Sequence, residues 1–155
     1  MDLPSMADAP FHCPPELVVD LPYPPSVNRL WRSTAAEKNR VYLSPSYVKW
    51  KGAADALLFA DRNWHRKGKI TGAFHIDISL CPTSQGHPRG DLDNRIKAVL
   101  DYLQRVEIIA NDKNCQRLLA EWVDLSRAPH GCRVALRPLA TMTMADVRRN
   151  VEALA

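Results

Sequence analysis

The sequence predicts an α+β fold, a small mixed sheet of about four strands with helices packed on it. Three observations carry that expectation. Residues 73–80 alternate apolar and polar side chains, as a half-buried strand does. Two other segments, near 45–63 and 92–103, repeat apolar residues at helical spacing. The coarse order is β, loop, α, β, α, β, β, α, which suits a mixed sheet with helices on one face. A chain of 155 residues, 46% hydrophobic and 25% charged, fits one domain able to bury a core.

Taken in order, residues 1–15 show no periodicity and read as a flexible N-terminal tail. ELVVDL, 16–21, is a Val- and Leu-rich strand. PYPPS, 22–26, follows, and its three prolines enforce an extended path. Residues 27–43 carry no sustained pattern and read as a long loop holding Asn28, Arg29, Trp31, Arg32, Lys38 and Arg40. Basic and aromatic residues interleaved in this way suit nucleic acid, because cations meet phosphates and rings stack on bases. An ordinary loop anchored by Trp31 would look the same.

Ser44 and Pro45 make a strong helix start, an N-cap followed by proline at the first helical position. Tyr47, Trp50, Ala54, Leu57 and Leu58 supply the buried face of a helix over about 45–63. HRKGK, 65–69, ends it near a glycine, with cations toward the negative end of the dipole. In the strand over 73–80, Phe74, Ile76, Ile78 and Leu80 share one face. Residues 81–90 form a loop. The next helix is expected to bury Leu92, Ile96, Val99, Leu100 and Leu103. After a polar turn at 107–114, residues 116–125 read as a strand. SRAPHG, 126–131, has the length of a hairpin connection, with 132–137 as the partner strand. Thr143 caps a final helix, 141–155, whose face is Met144, Val147, Val151 and Leu154.

Net charge is +4 and the pI about 9.0. The basic residues are concentrated: 29–69 holds ten Lys/Arg against three Asp/Glu, and the remainder eleven against fourteen. A basic region beside an acidic cluster can hold a polyanion and present it to a reactive site. Clustered solubility charge is the plainer explanation. The four cysteines form no CxxC pair and no zinc-finger spacing, so free thiols in a reducing, cytoplasmic setting are expected. No apolar run approaches a membrane span.

Chemistry concentrates in RGDLDNRIK, 89–97. Singly, each residue has a structural explanation. Asp91 suits an N-cap, Asp93 suits the positive end of the helix dipole, and Lys97 can pair with Asp93 at i,i+4. Asp112 suits a turn. Jointly they suggest more. Two carboxylates at a helix N-terminus repel unless a cation neutralises them, and Mg²⁺ takes oxygen ligands while keeping several waters. Asp112, after the helix, can return as a third ligand. Lys97 can place an ammonium near the charge that develops in a phosphoryl transition state. His87 can offer a phosphate contact, although a solvated loop histidine is the plainer reading. There is no GxSxG, P-loop or HExxH, so metal-assisted hydrolysis is the chemistry these residue types best allow.

GDLDNRIKAVLDYL (90–103), IIANDKN (108–114) and LPYPPSVNRLW (21–31) resemble, in order and with similar spacing, the RusA family of Holliday junction resolvases. The likeness runs over about 17–136. It implies a RusA-like nuclease domain at 16–140 and a homodimeric, Mg²⁺-dependent endodeoxyribonuclease, with Mn²⁺ as an alternative metal. Such enzymes bind four-way DNA junctions in recombination and repair and place paired symmetric nicks. A two-fold dimer matches the approximate symmetry of a junction. By the resemblance, Asp91, Asp93 and Asp112 are catalytic metal ligands and Lys97 is the catalytic lysine. Asn28, Arg29, Arg32, Lys38, Arg40 and Arg89 are expected to touch DNA. Two departures stand out: Asn111 replaces the first of two acids often adjacent in the family, and the loop before the motif offers only His87 and Arg89. The alternatives are a non-catalytic branched-DNA-binding protein, a metal-dependent hydrolase of other phosphodiesters, and a structural protein with well-capped helices.

Overall fold

The computed structural model describes residues 16–29, 31–33, 41–61, 68–82 and 90–139. The expected tail over 1–15 and the C-terminal helix over 141–155 lie outside them. Six strands and two α-helices are described: β1 Leu17–Pro22, β2 Trp31–Ser33, β3 Val41–Leu43, α1 Pro45–Ala60, β4 Phe74–Leu80, α2 Asp93–Arg105, β5 Cys115–Trp122 and β6 Gly131–Pro138. Four strands form the main sheet in the order β1-β6-β4-β5. It is mixed: β4 and β5 run parallel, while β6 is antiparallel to both β4 and β1. The α+β expectation therefore holds.

Alternation along the strands builds the core. Phe74, Ile76, Ile78 and Leu80 of β4 are fully buried, as are Cys132, Val134 and Leu136 of β6. With Leu17, Val19 and Leu21 of β1 they pack against the buried faces of α1 and α2 in one cluster. The opposite sheet face is polar. Arg133 grips Asp20 with two hydrogen bonds of 2.8 and 3.1 Å, and Arg137 bridges Asp77 and Glu16. Exposed pairs of this kind contribute little individually.

α1 starts as expected. Ser44 Oγ accepts from the Tyr47 N–H at 3.2 Å, and Pro45 opens the first turn. Tyr47, Trp50, Ala54 and Leu58 are buried, with Leu57 half-buried. The helix ends at Ala60, earlier than expected, and its last turn holds no basic residue; residues 65–67 of the HRKGK run lie outside the described residues. Trp50 meets Tyr102 of α2 edge to face at 5.4 Å. The Tyr102 hydroxyl donates to Asp55 of α1 at 3.0 Å, and burial pushes that phenol well above its ordinary pKa.

Three expectations need correction. The stretch 27–43, read as loop, contains a two-stranded antiparallel sheet of β2 and β3. At three residues each, these strands are too short to establish a period. Second, β5 and β6 are not hairpin partners; they lie on opposite sides of β4. Strand burial explains the arrangement. β6, whose inward residues are fully covered, lies inside the sheet, whereas β5 exposes both Leu118 and Leu119 and sits at an edge. Third, the buried face of α2 is Arg95, Ala98, Val99, Tyr102 and Leu103, while Leu92, Ile96 and Leu100 are only partly covered.

Candidate active site

α2 begins differently from α1. Gly90, at φ 58°, turns the backbone into the helix. The N-cap is Leu92, whose side chain can make no capping bond, and Asp93 is the first helical residue. The backbone of Leu92 is itself helical (φ −62°, ψ −46°), which leaves Asp91 at the junction where a capping side chain would act. Its Oδ2 instead accepts from Asn94 Nδ2 at 3.1 Å. Both carboxylates are exposed and stand at the positive end of the helix dipole.

One turn further on, Lys97 does not pair with Asp93. Its Nζ lies 2.6 Å from Asp101 Oδ1 and 3.4 Å from Asp112 Oδ2. The bond to Asp101 is the main cause that raises its pKa, so the side chain is held as a cation. Asp112 opens the short 3-10 turn Asp112–Asn114, and its N–H donates to Gln104 Oε1 at 3.3 Å. Asn111 caps that turn, its Oδ1 accepting from the Lys113 N–H at 2.9 Å. A carboxylate could accept the same bond, so Asn111 keeps the turn's geometry while removing one negative charge. The fold therefore brings Lys97 and Asp112 together. It does not gather the acids equally: among the described residues no group of three or more His, Cys, Asp and Glu side chains stands ready to hold a metal ion. The donors themselves suit a hard cation, being exposed carboxylate oxygens of the kind that share a coordination sphere with water.

The proline-rich segment is fastened beside this site. Proline has no N–H to give a ladder, so the segment's carbonyls carry its attachments. Pro22 O accepts from Trp50 Nε1 of α1 at 3.0 Å, and Pro24 O accepts from Arg95 Nη1 of α2 at 2.9 Å. The Arg95 guanidinium also lies 4.9 Å from the centre of the Tyr23 ring. Gly131, at φ 108°, lets β6 pass so close that a Cβ there would sit 2.7 Å from Tyr23 N. Between this segment, α1 and the start of α2 lies a cleft of about 710 Å³, and Asn28, Lys49, Asp91, Asn94 and His130 are among its lining residues.

Of the expected DNA contacts, Asn28 is exposed and lines that cleft. Arg29 lies in the 3-10 turn Val27–Arg29, and Arg32 lies in β2. Lys38, Arg40, His87 and Arg89 fall outside the described residues. Arg95, Lys49 and His130 were not anticipated. Arg95 sits on the apolar stripe with Ala98, Val99 and Tyr102, at i, i+3, i+4 and i+7, and that position was its signal. Lys49 and His130 are brought in only by the tertiary fold. Cys81, Cys115 and Cys132 are free, as expected. Among the described residues no helix is long and apolar enough to cross a membrane.

No curated protein matches the chain. The family model for endodeoxyribonuclease RusA matches residues 22–136, spanning the proline-rich segment, both helices and the Asp112 turn. Covering well over half of the chain, that match places it in the RusA family of Holliday-junction-resolving endodeoxyribonucleases.

Proposed function

We propose that this chain is a Mg²⁺-dependent, structure-selective nuclease that resolves four-way DNA junctions, acting as a cytoplasmic homodimer that places paired symmetric nicks in recombination and repair. The observation that carries the proposal is the start of α2, where two exposed carboxylates are left unused by helix capping. Asp91, Asp93 and Asp112 would hold the metal, Mg²⁺ or alternatively Mn²⁺. A divalent cation there supplies charge neutralisation at the phosphate and acidifies water for attack. Asn94 orients Asp91 through its carboxamide bond. Lys97, kept protonated by Asp101 and Asp112, offers an ammonium to the negative charge that builds on the phosphate oxygens. Asn28, Arg29, Arg32, Lys38, Arg40 and Arg89 would meet the DNA backbone, which gives binding a steep salt dependence.

The test is cleavage of a mobile four-way junction in Mg²⁺. Asp93→Asn is expected to bind the junction and fail to nick it; full nicking by that variant would remove the proposed metal site. A non-catalytic branched-DNA-binding protein is the second reading. It is favoured by the absence of a ready three-acid group among the described residues. Nicking by the wild-type chain that EDTA abolishes decides for the enzyme.

A further inference from the structure

The cleft beside Asp91 has a build that phosphodiester hydrolysis alone does not call for. Its volume of about 710 Å³ falls within the roughly 300–1,000 Å³ typical of small-ligand sites. Pro22, Pro24 and Pro25 line it, as does Ala53 of α1. The carbonyls of Pro22 and Pro24 are already taken by Trp50 and Arg95, which fixes that segment, and the half-buried Pro22 and Pro25 keep apolar surface exposed. Tyr23 is pinned from behind by the close passage of Gly131. A segment fastened at three points loses little freedom when a ligand settles on it. The rim is polar: Asn28 and Ser46 carry donors and acceptors, and Lys49 and His130 carry ring or ammonium nitrogens. Asp91 lines the same cleft, so its occupant lies next to the proposed reacting phosphate.

We propose that this cleft seats one unpaired nucleobase beside the phosphate to be cut, and so determines where the strand is nicked. The inference rests on the nuclease reading above and deepens it. A flat heterocycle fits proline faces on one side, while its hydrogen-bonding edge meets the carboxamide of Asn28 and the hydroxyl of Ser46. Lys49 can take a flanking phosphate. Within a regular duplex a base is stacked and paired and cannot enter. Where strands exchange, freeing a base costs least, so such a seat favours branched DNA over duplex. The residues read the base edge rather than the backbone, which makes the cleft a determinant of position rather than of overall affinity.

Ala53 is exposed on α1, so Ala53→Phe fills the cleft without touching the core. The probe is a mobile four-way junction carrying 2-aminopurine next to the mapped nick. Asp93→Asn protein is expected to brighten the probe on binding, because the base leaves the stack. The double variant Asp93→Asn/Ala53→Phe should bind within about three-fold and leave the probe dark. In the cleaving background, Ala53→Phe should lower nicking at the preferred position about ten-fold, the worth of one stacked base, while spreading nicks to other positions. Asn28→Ala, which adds no bulk, should relax the nick pattern in the same sense. An unchanged nick map and an unchanged probe signal in both variants, with the wild-type chain cutting normally, would overturn the base seat and leave the nuclease reading standing. A wild-type chain that binds no branched DNA would remove both.

Discussion

The two helices begin in opposite ways. α1 starts on Ser44, whose hydroxyl accepts from the Tyr47 N–H, with Pro45 preset for the first turn. Its start is built for stability, and the capping hydroxyl is committed to it. α2 starts with Leu92 already helical and unable to cap, and Asp91, one position earlier, gives its carboxylate to Asn94 Nδ2. Asp91 and Asp93 stay exposed, and Asp91 is held by Asn94 rather than by the backbone. A helix start with uncommitted carboxylates forgoes roughly 1 kcal/mol of capping and keeps two anionic groups facing outward. The contrast suggests that α1 is organised for folding and α2 for chemistry.

Substitutions can break that contrast. Away from the carboxylates themselves, the largest expected effect is at Lys97. Lys97→Ala should lower the single-turnover nicking rate about 10²- to 10³-fold, as removing one transition-state donor does, with junction affinity little changed in gel-shift titrations. Next comes Arg95, which joins α2 to the proline-rich segment. Arg95→Met should cost about 2 kcal/mol in urea unfolding, through the lost charged bond to Pro24 O, and should reduce nicking as the segment loosens. Ser44→Ala should cost about 1 kcal/mol of stability and leave the nicking rate of the folded protein unchanged.

The smallest effect concerns pH. The Lys97 pKa is raised, chiefly by Asp101, above the ordinary lysine value of 10.5. A raised folded-state pKa makes the pair's contribution complete below that ordinary value, and it fades only as pH climbs through the raised one. A nicking profile taken from pH 7 to about pH 10 should therefore show no alkaline limb from Lys97.

Much of the architecture was legible. The alternation of Phe74 to Leu80 and the Ser44-Pro45 start need only local physics, and both stand as expected. The placement of β5 was not legible, because a hairpin partner and a parallel edge strand satisfy the same local pattern and only the rest of the sheet decides between them. Arg95 was overlooked because charge marks a residue as exposed, although its position on the apolar stripe says otherwise. Asp112 was found through its turn, and its contact with Lys97 followed. Asn111 caps the Asp112 turn, whereas the Asp91 carboxylate at the start of α2 bonds Asn94. Local sequence cannot distinguish an acid that caps from one held in reserve, since both favour the same few positions at a helix start.

That distinction is also the central claim, and Asp91→Asn measures it directly. An amide in place of the carboxylate preserves size and removes the charge. Nicking of a four-way junction in Mg²⁺ and urea unfolding should be measured on the same preparation. The expected result is a loss of nicking of roughly a thousand-fold, about 4 kcal/mol in the barrier, with stability within about 0.5 kcal/mol of wild type. Nicking within a few-fold of wild type would mean that the Asp91 carboxylate serves the helix and not the reaction.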